Sequence, residues 1–262
     1  MLVFSAIVPH PPILIPGVGK DNLKKLKKTI NGLDVLEEDL NAAVPDTIII
    51  ISPHGEINPS AFTINTNENY IADFKNFGDF STKLKYKSDL EFVNSLKGKN
   101  ETKLPIQLIS SEKLDHGSAV PLYYLTRKQP NKAIVPINYS FLNYSEHLKF
   151  GELIKEAIFS LDRRYALIAS GDLSHRLSLG APAGFSPHAK EFDKKIIQLL
   201  KKKAVDGILK MDTDLIEDAA ECGLRSFLIL LGAVKNINYE FEVLSYEAPF
   251  GVGYLVGEMR FV

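Results

Sequence analysis

The 262-residue chain contains one cysteine and no tryptophan, and its 31 basic and 32 acidic side chains nearly cancel, leaving a formal charge of −1. Each scarcity excludes a class of protein. A lone thiol, Cys222, cannot form an intramolecular disulfide, so no disulfide framework replaces a core, and a reducing cytoplasm is the expected compartment. Near-neutrality offers no basic surface for nucleic acid or for an anionic membrane. No apolar run approaches the roughly 20 residues that span a bilayer. Pro9, Pro11 and Pro12 interrupt the apolar start, and no basic leader or small-residue cleavage site is present, so this stretch reads as a first strand and not as a signal peptide. Apolar residues are abundant, at 45%, enough to bury a large core in one domain expected over residues 1–262.

Short apolar runs alternate with amphipathic stretches. Strands are expected at 2–8, 47–52, 61–66, 106–110, 133–137, 165–170, 241–246 and 252–261, and helices at 21–43, 88–96, 119–127, 144–161, 189–203, 212–220 and 224–235. Strands separated by helices predict an α/β fold with a mostly parallel or mixed central sheet and helices on both faces. Residues 67–87 and 176–187 read as long irregular loops, and loops of that length tend to be functional. Gly17-Val18-Gly19-Lys20 lacks the spacing and the hydroxyl residue of a phosphate loop, and Gly251-Val252-Gly253 opens no βαβ unit, so neither points to a nucleotide.

Four histidines stand at the ends of apolar runs: His10 in Val8-Pro9-His10-Pro11-Pro12, His54 in Ser52-Pro53-His54-Gly55, His116 in Leu114-Asp115-His116-Gly117 and His175 in Gly171-Asp172-Leu173-Ser174-His175. Ligands of α/β proteins bind at the carboxyl ends of strands, so imidazoles delivered there converge on one crevice. Asp172, three residues before His175, is placed to orient its ring. His147 and His188 fall in or beside helices and are expected at the solvated surface. Two neutral imidazoles leave a divalent ion undercompensated, which calls for a carboxylate as third ligand. Glu221 and Glu247 both lie in apolar contexts, and Cys222 is an additional soft donor. Such a set suits non-haem Fe(II), and it equally suits zinc or another divalent ion. Tyr123, Tyr124, Phe185 and Arg225 serve as pocket residues or as packing; the pattern does not separate the two.

The four histidine motifs, in this order and at these separations, resemble the class III extradiol ring-cleavage dioxygenases, exemplified by the protocatechuate 4,5-dioxygenase catalytic subunit. Glu221-Cys222-Gly223-Leu224-Arg225-Ser226 and Tyr246-Glu247-Ala248-Pro249-Phe250-Gly251 resemble most closely the branch associated with Memo-like proteins. The resemblance implies Fe(II) held by His10, His54 and Glu221, with His175 as acid/base and His116 facing substrate. It implies a catechol-type aromatic and O2 as reactants, and a homo-oligomer or a small accessory subunit as partner. Memo proteins share the fold and keep a cysteine where Cys222 stands, without established ring cleavage. A metal-binding accessory protein and a zinc-dependent enzyme are therefore the alternatives.

Overall fold

The computed structural model of the chain describes residues 1–100 and 103–262. The chain opens with β1 (Leu2–Val8), the one-turn helix α1 (Pro16–Gly19) and the long α2 (Lys27–Ala43). It continues through β2 (Thr47–Ser52), β3 (Phe62–Asn65), β4 (Asn69–Phe74), β5 (Asp79–Ser88), α3 (Leu90–Asn100), β6 (Ile106–Ile109), α4 (His116–Leu125), β7 (Ala133–Asn138), α5 (Tyr144–Phe159) and β8 (Tyr165–Ser170). The last third supplies α6 (Ala189–Lys201), α7 (Val205–Leu209), α8 (Thr213–Ala219), α9 (Leu224–Ala233), β9 (Tyr239–Glu247) and β10 (Tyr254–Phe261).

The strands form one mixed sheet in the order β4-β5-β7-β2-β8-β1-β10-β9, with β3 joined to β7 and β6 to β3. Its centre is parallel, since β8 pairs in parallel with both β1 and β2, and β2 with β7. Antiparallel pairs close both edges. Every residue of β2 is buried, as its unbroken Ile48 to Ile51 run requires of a strand covered on both faces. Alternation then sorts the side chains by face. Ile49, Ile51, Leu167 and Ala169 join the layer of α5, α6 and α9, whereas Ile48, Ile50, Ala166 and Ile168 join that of α2 and α4. Helix starts follow local chemistry. Asn143 and Glu146 form a reciprocal capping box at α5, and Asp115 caps α4 by accepting from Ser118 N.

Two expectations are corrected. Residues 67–87 are not an irregular loop but the antiparallel pair β4–β5, turning through Gly78 in the left-handed region at φ 90°. Tyr70, Ala72 and Phe74 alternate inward there, a period that the surrounding polar residues conceal. His147 is fully buried, its Nδ1 2.8 Å from the Asn143 carbonyl and its Nε2 3.0 Å from that of Ser140. His188 does lie at the surface.

Phe150 of α5 stacks on Phe62 of β3 with ring centroids 4.1 Å apart, both rings fully buried. Phe150→Ala is expected to lower unfolding free energy by about 3–5 kcal/mol, from lost burial plus the cavity left behind. Urea denaturation checks this, and a loss below about 1 kcal/mol would mean the layer collapses around the gap.

Candidate metal centre

With β8 between β1 and β2, three strand ends lie side by side, and each is followed within a few residues by a site group. His10 follows β1 through Pro9, His54 follows β2 through Pro53, and Gly171-Asp172 follows β8. The Nε2 atoms of His10 and His54 stand 2.9 Å apart, and Cys222 Sγ lies 3.6 Å from His10 Nε2. These three donor atoms all fall within 4.8 Å of one another, the only such grouping of potential metal ligands among the described residues.

Hydrogen-bond direction settles the tautomer of His10. Ser170 Oγ donates its one proton to the Gly117 carbonyl at 2.5 Å, so at 2.8 Å from His10 Nδ1 it accepts. Nδ1 therefore carries the hydrogen, and the Nε2 lone pair points at His54 and Cys222. Holding the remote ring nitrogen in this way is how proteins orient metal-binding imidazoles.

The side chain grouped with the two imidazoles is that of Cys222, whereas Glu221, the expected third ligand, is turned toward α9. Glu221 Oε2 accepts from Leu224 N at 2.5 Å and so caps the start of α9. The backbone enters this segment through Ala220 in the left-handed region at φ 50°, and the two adjacent side chains diverge. Gly171 and Gly223 let the strand end and the helix start touch. A Cβ built on Gly171 would lie 2.2 Å from Gly223 Cα. Across that contact the Asp172 carbonyl accepts from Gly223 N at 3.1 Å, and Asp172 N approaches Cys222 Sγ at 3.3 Å. Glu247, the other candidate acid, accepts from both Thr29 N and Thr29 Oγ1 at the start of α2, far in role from the imidazoles.

The remaining candidates surround this group. Asp172 Oδ1 accepts from His10 N at 3.0 Å, and Oδ2 lies 3.9 Å from His10 Nε2, so the carboxylate addresses His10. His116, first residue of α4, stacks on His54 with centroids 4.3 Å apart and planes at 19°, and Phe77 from the β4–β5 turn meets its edge. His175 keeps a buried Nδ1 without a hydrogen-bond partner among the described residues, while its own amide is fixed to the Ala219 carbonyl. A cavity of about 410 Å³ opens beside His54 and His116, bounded by Phe77, Lys113, Asn65 and Asn138. Of the residues weighed as pocket or packing, Tyr124 is packing, its hydroxyl donating to the Leu14 carbonyl, and Phe185 is exposed.

The electrostatics favour an ion. Burial, aided by the like charges of His116 and His175, holds His10 well below the usual imidazole range. Burial and His10 bring His54 down to about 3. Burial likewise lowers His116 and pushes the Cys222 thiol up, with Asp172 and Glu221 adding to the latter. Burial raises Asp172 to about 6. The lone pairs are thus available at neutral pH, and the anionic donor is costly until a cation offsets it. Two neutral imidazoles and one thiol aimed at a common point fit a borderline-soft divalent ion.

Fold and site together define a metal-competent α/β protein with its centre at the carboxyl ends of parallel strands. Residues 5–257 match the family described as the catalytic LigB subunit of aromatic ring-opening dioxygenase, and the chain belongs to that family. It is 35% identical to protein CA_C1420 of Clostridium acetobutylicum over 97% of its own length, and spans 56% of that relative. It is 26% identical to a 3,4-dihydroxyphenylacetate 2,3-dioxygenase of Escherichia coli over 78% of the chain and 79% of the relative. Identity to the 2-aminophenol 1,6-dioxygenase beta subunit of a Pseudomonas species is 23%, over all of the chain and 94% of that subunit. A crystal structure of the uncharacterized protein JW3007 from Escherichia coli K12 shares the fold, with a TM-score of 0.65 at 15% identity, covering 98% of this chain and 99% of that one. Among the described residues no helix is long and apolar enough to cross a membrane.

Because the imidazoles are already neutral and the thiol is not ionised, binding an ion should release one proton from Cys222. Affinity for Zn(II) or Fe(II) is expected to rise about tenfold per pH unit between about pH 6 and 8, and to lose that slope in Cys222→Ser. Chelator competition across pH measures it; a wild-type slope near zero would show that the thiol is not a ligand. Ser170→Ala should cost about 10- to 100-fold in the same assay by freeing the His10 tautomer.

Proposed function

We propose that this chain is a non-haem Fe(II)-dependent dioxygenase that opens a catechol-type aromatic ring with O2. The observation carrying the proposal is the meeting of His10, His54 and Cys222, with His54 also lining a cavity walled by His116 and Phe77. His10, His54 and Cys222 would hold a ferrous ion, which would supply the chemistry that joins a diol and O2. The cavity, at about 410 Å³, is large enough for one substituted ring.

The protein's own groups do the rest. His10 stays in the tautomer that presents Nε2, because Ser170 accepts from its other nitrogen. His116, stacked on His54 and edged by Phe77, faces the substrate with a planar wall and a ring nitrogen for a phenolic oxygen. His175, half-buried on the segment after β8, is the group assigned to take a phenolic proton and later return it. Asp172 anchors His10 by its main-chain amide and supplies a buried carboxylate beside the imidazoles.

Cys222 in place of a carboxylate is the specific observation that favours a second reading. A thiolate suits zinc or copper as well as iron, and a Memo-like metal-binding protein without ring cleavage would use it equally. The family's namesake is a catalytic subunit, and accessory chains or a further segment such as that in the longer clostridial relative fit either reading.

Anaerobic purification with Fe(II), followed by oxygen uptake over a panel of catechols, separates them. Uptake with ring-opened product supports the dioxygenase, whereas bound metal without uptake on any catechol supports the second reading. His10→Ala and His54→Ala should each abolish metal binding. His175→Phe is expected to retain the ion and lose about 10²- to 10⁴-fold in turnover. Loss of metal from folded His175→Phe would make His175 a ligand and remove it from proton transfer.

A further inference from the structure

We infer that Asp193, which lies outside every site motif, is the positioning residue that holds His175 beside the metal centre through the main chain of Ser174. The inference deepens the proposed function, because it concerns the group assigned there to proton transfer. It starts from an anomaly in α6. The buried face of that helix is Ala189, Phe192, Asp193, Ile196 and Leu200, so an acid stands within an apolar stripe. Asp193 is 1% exposed, and no Lys or Arg lies in ion-pair range among the described residues. A buried carboxylate without a cation is costly unless its oxygens receive hydrogen bonds.

Both oxygens do. Oδ1 accepts from Ser174 N at 2.9 Å, and Oδ2 accepts from the Tyr246 hydroxyl at 2.7 Å. Gly253 makes the space, since a Cβ there would lie 2.2 Å from Asp193 Oδ2. The same glycine brackets the segment, accepting from Leu173 N at 2.8 Å and donating to the Ser174 carbonyl at 2.9 Å. Ser174 Oγ and His175 N then share the Ala219 carbonyl, each at 2.9 Å. Burial raises the Asp193 carboxyl to about 6, so above that pH both oxygens are free to accept.

The consequence lies in what His175 lacks. Its Nδ1 is buried with no hydrogen-bond partner among the described residues, so none of them aims the ring at that nitrogen. Orientation comes from the backbone, and among the described residues Asp193 is the one charged side chain bonded to the residue just before it. Without the Ser174 anchor, the segment would keep its bonds to Gly253 and Ala219, but a buried amide would be left unpaired and the chain would shift to satisfy it.

Acylation of histidines by diethyl pyrocarbonate, read residue by residue by mass spectrometry on zinc-loaded protein, tests this without turnover. In Asp193→Ala the rate at His175 should rise at least tenfold, while buried His147 stays protected and exposed His188 is unchanged. Zinc affinity should stay within threefold. Asp193→Asn keeps an acceptor for Ser174 N and should restore the slow rate. If Asp193→Ala does not fold, Tyr246→Phe, which frees one carboxylate oxygen, should raise the His175 rate about threefold with the same selectivity. An unchanged His175 rate in a folded Asp193→Ala, or in Tyr246→Phe where that is the variant available, overturns the inference. So does a rise shared by His147, which would mark a general loosening. Selective labelling without oxygen uptake on any catechol would leave the anchor standing and remove only the ring-cleavage reading.

Discussion

The centre depends on one constraint above others, the parallel insertion of β8 between β1 and β2. That pairing brings Ser170 at the end of β8 within reach of His10 beyond the end of β1, and it places the Gly117 carbonyl of α4 where the Ser170 hydroxyl must donate. The direction of a single proton then decides which nitrogen of His10 faces the site. Slipping β8 by one residue would turn Ser170 to the other face of the sheet and remove the lock. The same strand end delivers Gly171 to Gly223, and with it Cys222 to the imidazoles. Donors far apart in sequence are therefore set by strand register, and loop conformation adds the last adjustment.

Charge is arranged around that frame as a deficit. The groups that would carry positive charge are held neutral by burial, and those that would carry negative charge are pushed toward their protonated forms. Such a site resists charging as it stands, because burial opposes the ionisation of each of these members. A divalent ion reverses the balance for the acids while using the lone pairs of the bases. The donor set suits a cation that accepts neutral nitrogen and sulfur better than a hard cation that prefers an all-oxygen shell.

Much of this was legible in the sequence, and what was not has identifiable causes. The buried strands at 2–8, 47–52 and 165–170 agree with the observed bounds because their apolar runs are cut by Pro9, Pro53 and Gly171, residues that act on the backbone directly. The meeting of His10 and His54 follows from where those strands end. That the Cys222 sulfur lies beside the imidazoles while the Glu221 carboxylate turns to α9 was not readable, since the segment is entered through a left-handed Ala220, a conformation that alanine does not advertise. The β4–β5 pair escaped because its inward residues alternate within a polar stretch. His147 looked like a solvated helix residue because its partners, two main-chain carbonyls, carry no side-chain signature. Ser170 and Asp193 escaped for the same reason in reverse: each acts on main-chain groups brought near only by the fold.

The wide spacing of the three donors has a further physical consequence. Cys222 is 212 positions from His10, and His54 is 44 positions from it. An ion joining them is a cross-link that ties the first strand to the last third of the chain, and it closes loops whose entropy the unfolded polymer would otherwise keep. Because a disordered chain cannot hold the three groups together, the ion binds the native state alone and draws the folding equilibrium toward it by mass action. Metal supply would then govern how long each molecule survives: a loaded form would open rarely, and an empty form would be offered first to proteases.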